Sequence, residues 1–428
     1  MAEQLATVRA DVLLATDEEG GDVTRLDYLV GSGYPGNLAL GHVDEVGRTA
    51  AVASAIGAEL RSVGVNVNLA PSVDVNSDPR NPVIGVRSFG QDPKLVARHG
   101  AAFVRGLQAA GVAATAKHFP GHGATVVDSH LGLPVVDVDE QTFRRRELPP
   151  FAAAIAAGVE LVMSSHVVFP VLDSEPATHS RRLLGDLLRG ELGFDGVVIT
   201  DALDMAGALG QGGLPAAAVR ALAAGSDLLL LGARDGKELR TEIHAAVSEA
   251  LHSGVLSLER LHQAGERVAA LRRRVGGTGG AAGPDPDVGV SAADAAVTVR
   301  GDVALRAPAV LVELRSPANM AVGEAPWGLT EPLSAVGMHA ATVTVQEEGP
   351  GPETVETGAA PVVLVVRGAR RSAWQRAWVE QFVRRVPDAV LVALGMPEDG
   401  ELTPGPAVWA RGAGRVNVEA AVARLAPR

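Results

Sequence analysis

Residues 112–123 read VAATAKHFPGHG, a short run of small and branched residues that stops on a lysine and a histidine and then turns through proline and glycine. A buried strand ending on charged groups at a Gly-bearing turn is the repeating unit of parallel α/β sheets. The unit recurs. VLLAT (12–16), VNVNLA (65–70), ELVMSS (160–165), GVVIT (196–200) and DLLLL (227–231) each end at a polar or Gly-rich segment, which makes six strands. Amphipathic runs at 43–63, 93–110, 140–157, 215–224 and 238–251 read as the helices between them. Alternation on this scale predicts a parallel sheet over residues 1–275, and a TIM-type (β/α) barrel is its commonest closed form.

Composition agrees with that reading. The chain has 428 residues, 47% of them hydrophobic but only 3% aromatic, so its core must be built from Ala, Val and Leu. These suit parallel strands covered by helices. The 50 glycines and 26 prolines amount to about 18%, below the roughly 25–30% of low-complexity chains. With 38 basic against 50 acidic residues the net charge is −12, and no basic stretch offers the surface that nucleic acid requires. The absence of cysteine excludes disulfides, thiolate catalysis and Cys-ligated zinc. No run reaches the roughly 20 apolar residues of a membrane span, and residues 1–21 lack the basic-then-apolar order of a signal peptide. As given, the chain is expected to be a cytoplasmic protein, on condition that no signal lies upstream.

The stretch GGTGGAAGPDPD (276–287) has no period and reads as a linker. After it, PAVLVEL (308–314), PVVLVVR (361–367) and AVLVAL (389–394) are buried-strand candidates, with a helix over 371–385. They predict a smaller α/β domain at 288–428. No repeat of fixed period is present.

Barrel enzymes place their reacting groups at strand carboxyl ends. Here those ends carry Asp17 to Glu19 and then Arg25; Asp74; Lys117 and His118, with His122, Asp128 and His130 beyond; His166; and Asp201. Each also has a plainer reading. Asp201 can cap the following helix, Lys117 can snorkel to the surface, His118 or His166 can be a hydrogen-bonded structural histidine, and Asp128 with His130 can form an Asx-type turn. Their convergence points instead to glycoside hydrolysis, in which one carboxylate attacks the anomeric carbon and a second group protonates the leaving oxygen. Asp201 at a rigid strand end suits the nucleophile. A histidine oriented by a carboxylate can shuttle the proton, and Asp128 with His130 fit that pair.

KHFPGHG (117–123), DSHLGLP (128–134) and GVVITDALDM (196–205), with TDEEGGDVTR (16–25) and NLAPSVDVNSDPRNPVIGVRSFG (68–90), resemble glycoside hydrolase family 3, and specifically its β-N-acetylglucosaminidase branch. The resemblance continues weakly through VLVALGMPED and GAGRVNVEAA in the second domain. It implies Asp201 as nucleophile and His130 with Asp128 as acid/base pair, with Asp17, Arg25, Arg87, Lys117 and His118 contacting the sugar. It implies a terminal β-linked N-acetylglucosamine as substrate, on cell-wall muropeptides or chitin fragments, and neither metal nor cofactor. The chain departs from the family at Ala124, where members usually carry Asp. The resemblance also begins late, at the helix before the family's third barrel strand, so the barrel is expected to lack its first strands. A start site placed too far downstream, or a fragment with an open barrel, are the two expectations. A β-N-acetylglucosaminide phosphorylase would share the same residues, and a non-catalytic sugar-binding remnant is the other rival. Oligomeric state is not legible in the sequence.

Overall fold

The structure, a computed structural model, describes residues 7, 9, 11–127, 132–210, 212–232, 236–276, 283–315, 321–323 and 328–426. It divides into two compact units. The first comprises Met1–Asp17, Thr49–Ile84 and Ser88–Pro284; the second comprises Glu18–Arg48, Gly85–Arg87 and Asp285–Arg428. Of the expected linker at 276–287, residues 277–282 lie outside the described residues.

In the first unit, strands β1 (Ala15–Thr16), β2 (Val67–Asn68), β3 (Ala113–Phe119), β4 (Leu161–Ser164) and β5 (Val197–Thr200) form one parallel sheet in sequential order. The expected sixth strand, 227–231, runs alongside β5 through a single bridged pair, Ile199 with Leu228, and Leu203 N–H donates to Leu230 O. This is an open, half-barrel arrangement. Side chains alternate between its faces, as the two-residue period of a strand requires. Val67, Leu69, Ala113, Leu161, Met163, Val197 and Ile199 share one apolar cluster with Val268, Leu271 and Val275 of the helix Leu258–Val275. Full burial of each such side chain is worth roughly 1.5–3 kcal/mol.

The helices follow local chemistry. Pro93–Ala109 starts at Asp92, whose carboxylate accepts from Lys94 N–H, with proline in its first turn. The single helix expected over 140–157 is two, Glu140–Arg146 and Leu148–Ala156, because Pro149 and Pro150 have no N–H to continue the ladder. A further helix, Arg182–Glu191, lies outside the expected runs; it buries Leu183, Leu184, Leu187 and Leu188 at a helical spacing. At the amino ends of the strands, buried Asp227 accepts from Arg189 (2.6 Å), Arg260 (2.5 Å) and the N–H of Val198 (2.9 Å), with Arg267 at 3.4 Å.

The second unit holds β6 (Thr298–Arg300), β7 (Ala309–Leu314), β8 (His339–Val345), β9 (Val362–Val366), β10 (Val390–Ala393) and β11 (Ala407–Trp409) in the order β6-β11-β10-β9-β7-β8. All pairs are parallel except β6 with β11. The three expected strands are β7, β9 and β10, and the expected helix is Ala373–Arg385. Alternate residues of β7 feed two separate cores. Ala309 and Leu311 pack with Ala293, Val418 and Leu425, and Val310, Val312 and Leu314 with Val379 and Phe382. Two apolar faces on one sheet make a three-layer α/β sandwich. Buried Asp22 is tied into this unit by the N–H of Ala413 at 2.6 Å and by Arg367 at 2.5 Å.

Candidate active site

The carboxyl ends of the first unit's strands bring Asp17, Asp74, Lys117, His118, His122, His166 and Asp201 into one cluster of ionisable side chains. Lys117, near the end of β3, is only 2% exposed, and its Nζ lies 2.9 Å from Oδ1 of Asp17 after β1. A lysine buried to that degree against a carboxylate is not a snorkelling surface charge.

His118 follows directly. Its Nδ1 lies 2.7 Å from Oδ2 of Asp74, and the same carboxylate accepts from the N–H of His118 (3.2 Å), the N–H of His122 (2.7 Å) and Ser72 Oγ (2.9 Å). Burial works against the charge of Asp74, yet His118, His122 and these hydrogen bonds outweigh it and hold the carboxyl below the usual carboxylate range. An ionised Asp74 can only accept, so Nδ1 of His118 carries the proton and the ring is fixed in orientation. Burial, with the charge of His118 beside it, pushes His122 down to about 4, so it is neutral near pH 7. Behind this turn a Cβ on Gly123 would stand 1.9 Å from the carbonyl oxygen of Val75, so only glycine lets the two backbones approach.

Asp201 follows β5. Its N–H donates to Ser164 O (3.0 Å), and its Oδ1 accepts from Ala202 N–H at 2.8 Å. The next helix begins at Ala206, so Asp201 is not that helix's cap. Burial alone would raise its pKa; the charges of His118, His166 and Lys117 and the Ala202 hydrogen bond together bring it below the usual carboxylate range. The result is an ionised carboxylate on a rigid strand end among cationic side chains, the requirement for attack on an electrophilic carbon.

Of the other expected residues, Asp128 and His130 lie outside the described residues. Arg25 and Arg87 belong to the second unit. There Arg87 makes a buried bidentate pair with Glu19, at 2.8 and 3.0 Å. Arg25 is exposed, and its guanidinium donates to the carbonyl of Ala321 at 2.9 Å. Asp74 and His166 were legible as strand-end polar residues, but no role followed from their positions. Their partners lie far along the chain, 44 residues away for Asp74 and 36 for His166.

Comparison with known proteins shows the chain's family. Residues 2–271 match the glycosyl hydrolase family 3 N terminal domain. Beta-hexosaminidase A of Pseudoalteromonas piscicida is 40% identical over 295 residues, 64% of this chain and 49% of that protein. A beta-hexosaminidase of Pseudomonas aeruginosa is 40% identical over 231 residues, covering 53% of this chain and 68% of the relative. The chain thus spans about half to two thirds of the length of these relatives. A glycoside hydrolase family 3 beta-N-acetylglucosaminidase from Paenibacillus sp. str. FPU-7 superposes with a TM-score of 0.88 at 34% identity, over 99% of this chain and 86% of that one. No helix among the described residues is long and apolar enough to cross a membrane. With well over half its length matched by the family's first domain and its strand-end cluster assembled as described, the chain belongs to glycosyl hydrolase family 3.

Proposed function

We propose that the protein is a retaining exo-β-N-acetylglucosaminidase that removes terminal β-linked N-acetylglucosamine from cell-wall muropeptides or chitin fragments. The observation that carries the reading is Asp201, held as a carboxylate at the end of β5 by His118, His166, Lys117 and the Ala202 N–H. Relatives at 40% identity bear the name beta-hexosaminidase, which supports the choice of sugar.

Asp201 attacks the anomeric carbon and forms a glycosyl ester as the leaving oxygen takes a proton from His130, oriented by Asp128. Water then attacks the same carbon, His130 accepts its proton, and Asp201 leaves as a carboxylate. Lys117 with Asp17, and His118 set by Asp74, contact the sugar; Arg25 and Arg87 are further sugar contacts that the family resemblance implies. The linear boundaries 1–275, 276–287 and 288–428 remain our reading of the domains at the level of sequence.

The test is turnover of a chromogenic β-N-acetylglucosaminide against the matching β-glucoside, with and without phosphate. We expect N-acetylglucosamine from the first substrate alone, with the β-anomer formed first by NMR, and loss of turnover in Asp201→Asn and His130→Ala with folding intact. A sugar 1-phosphate as main product would make the protein a phosphorylase. A parent that binds N-acetylglucosamine without turnover, with binding unchanged in Asp201→Asn, would reduce it to a sugar-binding protein.

A further inference from the structure

Asp74 is not the only carboxyl group against the turn after β3. Glu147 stands at the break between the helices Glu140–Arg146 and Leu148–Ala156, where its N–H still donates to Phe143 O at 2.9 Å. Its side chain is buried, and it lies along Gly121. A Cβ built on Gly121 would stand 2.2 Å from Oε2, 2.9 Å from Cδ and 3.3 Å from Cβ of Glu147. The glutamate thus fills the space that a side chain at 121 would take, and only glycine can rest on it. On either side of Gly121, the N–H groups of His118 and His122 are fastened to Oδ1 of Asp74, at 3.2 and 2.7 Å. The turn is tied down at these two residues and supported between them by Glu147.

We propose that Glu147 is a positioning residue for the turn that carries His118 and His122, its neutral carboxyl serving as the seat for Gly121, and that ionisation of this carboxyl unseats the turn and limits activity in alkali. The inference rests on the reading of His118 as a sugar contact in a hydrolase. Glu147 itself touches no substrate.

The two carboxyl groups at the turn differ in what they receive. Asp74 accepts from four donors, whereas Glu147 has Arg146 Nε on Oε1 at 2.5 Å and a buried Oε2 with no hydrogen-bond partner. Two carboxylates beside one buried turn cannot both be charged cheaply, and the better-solvated one keeps the charge. Burial pushes the Glu147 carboxyl up to about 7 against the pull of Arg146, and the charge of Asp74 adds to the rise. Among the described residues, the charges that act on Glu147 are those of Arg146, beside it, and Asp74, in the loop after β2. Beyond them, Asp78 of the same loop feels Arg146 and pairs with Arg80 at 2.7 Å, and His122 is neutral near pH 7. Ionisation places a charge on Oε2 directly against Gly121, where no donor meets it. Water reaches that oxygen only when the carboxyl or Gly121 moves away. Either motion removes the seat.

The test follows kcat/KM for a chromogenic β-N-acetylglucosaminide from pH 5 to pH 9 in the parent, Glu147→Gln and Glu147→Ala. The parent should lose about tenfold between pH 6 and pH 8, the span of one ionisation near 7. Glu147→Gln keeps the seat without the charge, so its value at pH 6 should lie within about twofold of the parent and its alkaline limb should move up by about one pH unit. Glu147→Ala removes the seat and should lose about 10²-fold already at pH 6. An alkaline limb in Glu147→Gln that coincides with the parent's, or parental activity in Glu147→Ala, would overturn the proposal. A second arm needs no substrate. The backbone amide signals of Gly121 and His122 in the full chain, followed by NMR, should titrate with a midpoint near pH 7 in the parent and stay fixed in Glu147→Gln. Signals that do not titrate in the parent overturn the proposal by themselves, whether or not either variant folds. A parent whose turn titrates as expected but which turns over no substrate refutes the hydrolase reading alone.

Discussion

Oδ2 of Asp74 stands 2.7 Å from Nδ1 of His118, and its Oδ1 takes the N–H of both His118 and His122. One fully buried carboxylate after β2 thus fixes the turn after β3. Asp74→Asn puts an amide where four donors converge, and each donor left unsatisfied costs about 1–3 kcal/mol. Misplacement of His118 should lower kcat/KM by about 10²-fold. The pKa of Asp74 is depressed on folding, so its stabilising contribution is present above the unfolded value of about 3.9 and is lost as pH falls through the folded value below that. Urea unfolding of the parent and variant at pH 7 and pH 3 checks this: their stabilities should converge at the lower pH.

Glu147 is expected to titrate in the opposite sense. It is buried, its Oε1 pairs with Arg146, and its Oε2 has no hydrogen-bond partner and faces Gly121. Burial pushes its carboxyl up to about 7 against the pull of Arg146. Between roughly pH 4.3 and 7 the folded chain keeps a proton that the unfolded chain releases, so stability falls as pH rises through that window. Glu147→Gln removes the titration. Relative to the parent, the variant should gain on the order of 3 kcal/mol between pH 5 and pH 8. An identical difference at both pH values would show that Glu147 titrates normally.

Asp227 lies at the other end of the strands, among Arg189, Arg260 and Arg267. Truncating it to alanine leaves three partly buried cations without their counter-ion, which costs up to about 3 kcal/mol. The loss should appear in thermal melts. At 20 °C, well below the transition, kcat/KM should stay within about twofold of the parent, because the residue is remote from the reacting groups.

Two glycines separate crowding from backbone freedom. A Cβ on Gly123 would meet Val75 O at 1.9 Å, whereas nothing stands within 4 Å of the same atom on Gly265, midway along the helix Leu258–Val275. Gly123→Ala should therefore cost about 1–3 kcal/mol and lower activity. Gly265→Ala should stabilise by up to about 1 kcal/mol. Equal melting temperatures for the two variants would contradict both expectations.

What the sequence made legible was local. GVVIT leads into Asp201 and VAATA into Lys117 and His118, because short branched runs that stop on polar residues mark strand ends in one dimension as well as in three. The expected helix over 140–157 divides at Glu147, since two prolines outweigh the apolar period around them. The partners were not legible. Lys117 meets Asp17 across 100 residues and Arg87 meets Glu19 across 68, and no periodicity joins such pairs. For the same reason, nothing in residues 18–48 announces that they consolidate with β7 to β11; the bonds of Asp22 to Arg367 and Ala413 do that.

The helix Leu258–Val275 has a practical bearing on how the chain can be cut. It supplies Val268, Leu271 and Val275 to the sheet's apolar face, and Arg260 and Arg267 to Asp227. An expression boundary placed after the last strand-end motif, anywhere between residues 232 and 257, would retain every strand of the first unit and still leave one face of its sheet bare and a buried carboxylate short of two counter-ions. The shortest piece of this first unit worth purifying by itself runs through Val275.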